Sequence, residues 1–64
     1  MSTTTTKYDI ETEVYRFLKA KHTYETARLG SPAYDAAERH MERIVERAER
    51  SGNLQAFLFV LHGR

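Results

Sequence analysis

Along the first half of the chain, apolar residues recur at Ile10, Val14, Phe17, Tyr24 and Ala27, with Leu18 and Ala20 beside them. Steps of three and four residues describe one face of an α-helix. Upstream, Thr6 stands as a candidate N-cap with Asp9 three residues on, a pair resembling a capping box that also puts negative charge at the positive end of the helix dipole. These positions predict a first helix over about residues 6–29. Tyr15, Leu18 and Leu29 lie off the main face, so the helix is expected to be touched on a second side as well.

The run Leu29-Gly30-Ser31-Pro32 breaks this pattern. Gly30 suits a left-handed C-cap, Ser31 the next N-cap and Pro32 the first helical position. A link this short predicts two antiparallel neighbours. The second helix, from Pro32 to about Arg50, sets Tyr34, Ala37, Met41, Ile44 and Ala48 at heptad-like spacing, with Val45 widening the seam. Its other faces carry nine charged residues, Asp35, Glu38, Arg39, Glu42, Arg43, Glu46, Arg47, Glu49 and Arg50, and Asp35 with Arg39 and Glu46 with Arg50 stand four apart as candidate ion pairs.

After Ser51-Gly52-Asn53 comes Leu54-Gln55-Ala56-Phe57-Leu58-Phe59-Val60-Leu61, apolar on nearly every side. Periodicity does not separate helix from strand in so short a run. Asn53 as an N-cap and Gly63 near the end favour a helix over about residues 54–62. The alternative pairs residues 56–61 with the Thr-rich start of the chain in a two-stranded sheet, an arrangement that is marginal in water. The expected fold is therefore all-α: an antiparallel helical hairpin closed by a short third helix, one domain over residues 1–64 with a polar tail at 1–5.

Size sharpens this picture. A chain of 64 residues buries only about 60% of its unfolded surface. The absence of Cys removes both disulfides and thiolate metal sites as supports, leaving self-association or docking. Residues 1–7 lack the apolar core of a secretory signal, and no apolar stretch approaches the roughly 20 residues that span a bilayer, so a cytoplasmic protein is expected. Ten Lys and Arg stand against nine Asp and Glu, a net charge of +1. Because the signs alternate along the second helix, they read as a solvated surface without a one-signed stripe.

Little in the chain suggests catalysis. His22, His40 and His62 stand singly, outside the paired spacings that zinc or di-iron sites use, so no metal or other cofactor is expected. Of Ser2, Ser31 and Ser51, two already have capping roles, and the three Gly form no phosphate-binding loop.

Apolar and aromatic residues exceed what a small core absorbs. If the third helix packs Leu54, Phe57, Leu58 and Leu61 against the hairpin, Phe59 and Val60 point partly away. Two such side chains would contribute about 3 to 5 kcal/mol if something else buried them. The tail thus either closes a three-helix core or forms part of a homodimer or partner interface. Tyr8, Tyr15, Phe57, Phe59 and Val60 are the partner-binding candidates, while Tyr24 and Tyr34 are expected at the rim of the core flanking the turn. The leading expectation is a non-enzymatic protein-binding module, an accessory regulator or inhibitor of a larger complex such as phages and mobile elements carry.

The alternative is a small nucleic-acid-binding protein contacting phosphates through Arg16, Lys19, Lys21 and Arg28 on the first helix. The third segment argues against it, being too apolar for a recognition helix. A weaker idea has Glu38, Glu42, Glu46 and Glu49 imitating a phosphate backbone, with interleaved arginines counting against it. Membrane association through the Phe-rich tail is not expected, since the tail lacks the Lys-rich face of interfacial helices.

Overall fold

The computed structural model describes residues 8–63. They form three helices, α1 (Ile10–Thr26), α2 (Pro32–Arg50) and α3 (Leu54–His62), with no strand among the described residues. Glu13 near the start of α1 meets Arg47 near the end of α2, and Tyr24 near the end of α1 meets Tyr34 at the start of α2. That pairing of opposite ends makes the hairpin antiparallel. The third helix packs against both others.

α1 begins later and ends earlier than expected. Asp9, not Thr6, is its N-cap: Oδ1 of Asp9 accepts from the Thr12 backbone N–H at 3.3 Å, and Thr12 Oγ1 donates to Oδ2 at 2.9 Å. Thr6 itself lies outside the described residues. An Asp cap satisfies an orphan N–H and sets a negative charge against the dipole, with Glu11 and Glu13 following in the first turn. At the other end Thr26 Oγ1 donates to the His22 carbonyl at 2.9 Å, the kind of local bond that competes with helix continuation, and Ala27 turns extended. Gly30 therefore does not cap α1. It occupies the third position of a turn closed by the Ser31 N–H and the Arg28 carbonyl, where its φ of 81° is the left-handed value a type II turn requires.

α2 runs as expected, with Ser31 Oγ accepting from the Tyr34 N–H and Pro32 in the first turn. It ends in a Schellman motif: Gly52, at φ 79°, donates to the Glu49 carbonyl, and Asn53 N–H donates to the Ala48 carbonyl. Asn53 precedes α3 but its side chain makes no capping bond, because Nδ2 instead donates to Ser51 O and Oγ.

The core centres on Val14, Ile44, Ala48 and Phe57, with Tyr8, Ile10, Phe17, Val45, Leu54, Val60 and Leu61 packed around them. Phe57 is fully buried and meets the Phe17 ring edge-to-face at 5.7 Å. This corrects its expected role in partner binding: the hairpin consumes it. Val60 is corrected likewise, since it packs on the core while Leu58, expected inside, is more than a third exposed. The inward side of α3 is set by Leu54, Phe57, Val60 and Leu61, and its outward side carries Phe59 at 81% exposure. No helix of the described residues is long and apolar enough to cross a membrane.

Candidate interaction surfaces

Both charge and surplus apolar surface are organised by helical phase. In α2 the acids stand at positions 35, 38, 42, 46 and 49, and the arginines at 39, 43, 47 and 50. At 3.6 residues per turn each set falls within about a quarter of the circumference. The alternation seen along the chain therefore resolves into one acidic and one basic stripe, and the expectation of a surface without one-signed stripes does not hold. The expected ion pairs Asp35–Arg39 and Glu46–Arg50 are not formed.

On the acidic side, Glu38, Glu42, Glu46 and Glu49 border an open groove of about 540 Å³ between α1 and α2. Phe17, Tyr24, Met41 and Val45, each partly buried, line it with apolar surface. The four carboxylates are exposed and have no ion pair or hydrogen bond among the described residues.

Arg47 turns away from this groove. Its Nε and Nη2 donate to Oε1 of Glu13 at 3.2 and 2.9 Å, while Arg16 Nη1 approaches Oε2 at 3.4 Å. Glu13 is almost completely buried, and these charge-assisted bonds offset the cost of desolvating it. Beside them Tyr8 packs against the core with its hydroxyl buried and unpartnered among the described residues. Burial, reinforced by the Glu13 charge, pushes that phenol above its ordinary pKa. Tyr8 is thus placed first as a core-packing residue.

Tyr15 is different. It is 65% exposed, with Lys19 Nζ 6.0 Å from its ring centroid, and Leu18 and Leu29 are exposed as well. The second stripe expected on α1 therefore touches no other described helix closely enough to be buried. Tyr24 and Tyr34 sit at the turn end of the hairpin, flanking the 27–31 link, with rings stacked at 4.4 Å, and the Tyr34 hydroxyl donates to that of Tyr24 at 2.8 Å. That bond, with some burial and the nearby Glu38 and Asp35 charges, raises the Tyr34 pKa to about 12.

The four basic residues singled out on the first helix are not brought together. Arg16 and Lys19 border a shallow groove with His40, and Arg16 borders another with Arg47 and Arg50. Lys21 instead pairs with Glu25 at 2.8 Å, which holds the Glu25 carboxyl below its usual pKa. Arg28 lies in the linker. Arg47 and Arg50 of α2, set aside as interleaved in the sequence, join this basic side; the 4-4-3 spacing of the α2 arginines was the signal. No group of three His, Asp or Glu among the described residues is placed to hold a metal ion.

Comparison with protein-family models, with curated proteins and with solved structures found no match for this chain.

Proposed function

We propose that this chain is a non-enzymatic protein-binding module that acts by occupying the surface of a larger protein or complex, as an accessory regulator or inhibitor does. The observation that carries the reading is Phe59. A Phe exposed to 81% on a helix whose other side already closes the core is surplus to folding, and burying such a ring is worth about 2 kcal/mol or more to an interface. Leu58 beside it, and Tyr15, Leu18 and Leu29 on the hairpin, add exposed apolar surface of the kind that marks contact sites. A cytoplasmic setting, and a phage or mobile-element source, fit a small inhibitor and belong to this reading.

The test is site-specific photo-crosslinking in cells, with a benzoyl-phenylalanine at position 59 and, as control, at the exposed Thr23. Discrete adducts from position 59 that Thr23 does not give support the reading. Equal labelling from both sites, or none from position 59, contradicts it. If the adduct is a second copy of the chain, the surface is a homodimer interface.

A second reading is favoured by the basic side, where Arg16 of α1 borders one groove with Lys19 and another with Arg47 and Arg50 of α2. Such a side suits a phosphate backbone. Its signature is binding to labelled duplex DNA or RNA that falls steeply between about 50 and 200 mM salt and is lost in a Lys19→Ala/Arg50→Ala variant.

A further inference from the structure

We propose that the groove between α1 and α2 on the acidic side takes a helical segment of a partner protein, one that carries Lys or Arg beside its apolar residues. The proposal deepens the protein-binding reading by assigning a partner chemistry to a face distinct from Phe59.

Three observations carry it. The groove is lined by Phe17, Met41 and Val45, a floor that an apolar side chain fills, and Met adapts readily to what it meets. Its border is Glu38, Glu42, Glu46 and Glu49, all exposed and with carboxylates that have no ion pair or hydrogen bond among the described residues, whereas Glu13 and Glu25 have their cations within the chain. Finally, the like charges at 38 and 42, and at 42 and 46, stand four apart, a spacing that destabilises a helix by about 0.2 to 0.5 kcal/mol per pair. Folding alone gives no reason for that arrangement.

The dimensions match a helix. From Glu38 to Glu49 the border runs roughly 16 Å along α2, three turns, so a partner helix with cations three and four residues apart meets successive carboxylates while its apolar stripe enters the groove. An anionic border repels nucleic acid, which separates this face from the basic one.

The experiment uses the full chain and a fluorescent helical peptide of roughly 14 residues built from Leu, Ala and Lys, with Leu and Lys on one face, alongside the same peptide with Glu for Lys. Anisotropy titrations are run on the wild type, Glu42→Gln/Glu46→Gln and Phe59→Asp. Removing like-charge repulsion does not threaten the fold of the Gln variant, which circular dichroism checks. The expected result is binding of the Lys peptide, weaker by roughly tenfold in the Gln variant, unchanged in Phe59→Asp and absent for the Glu peptide. No binding of the Lys peptide, or equal binding by the wild type and the Gln variant, overturns the proposal. So does sedimentation equilibrium showing that the wild type self-associates and the Gln variant does not, because the occupant is then a second copy. Failure here with position-59 crosslinks intact removes the groove assignment alone; loss of both removes the protein-binding reading.

Discussion

The Tyr34–Tyr24 pair ties the turn end of the hairpin by a stack and a hydroxyl bond, and the bond depends on a neutral Tyr34 donor. Because the folded-state pKa of Tyr34 is raised from 10.0 to about 12, its contribution to stability is fully present below about pH 10 and is lost as pH rises through the folded value. Urea unfolding of the wild type should therefore lose more stability between pH 10 and 12 than that of Tyr34→Phe, whose curve lacks this contribution. Parallel curves would show that the bond does not form. Glu13, an acid in a buried position of α1, is held on one oxygen by Arg47 across the hairpin and on the other by Arg16 three residues along α1.

At the scale of elements, the ends of the helices separate residues that cap from residues that merely stand at a cap position. The Asp9 side chain makes two bonds to Thr12, whereas the Asn53 side chain makes none to α3. Asp9→Ala should cost about 1 kcal/mol in urea unfolding, and Asn53→Ala clearly less; equal losses would mean that Asn53 caps after all.

Much of this level was legible in the sequence. The apolar stripes of α1 and α2, the Ser31-Pro32 start and the helix at 54–62 follow from periodicity and turn chemistry. The first boundary was misplaced because Thr6 and Asp9 both have cap chemistry, and the structure uses the second. In α3 a run that is apolar all round gives no phase, so the sequence had no means of exchanging Leu58 for Val60 or of telling Phe57 from Phe59. The charge stripes of α2 were legible in principle. Along the chain the signs alternate, and only around the helix do they separate.

For the whole molecule, the division between core and surface is the claim on which function rests. A chain of this size is stable by about 3 to 10 kcal/mol, so one core aromatic is a large share of the total. The most direct test is urea unfolding of the wild type, Phe57→Ala and Phe59→Asp side by side. Phe57→Ala should lose about 3 to 5 kcal/mol and approach global unfolding, while Phe59→Asp should stay within about 0.5 kcal/mol of the wild type. A Phe59→Asp loss as large as that of Phe57→Ala would place Phe59 among the residues that hold the fold together and would contradict the reading of α3 as a docking surface.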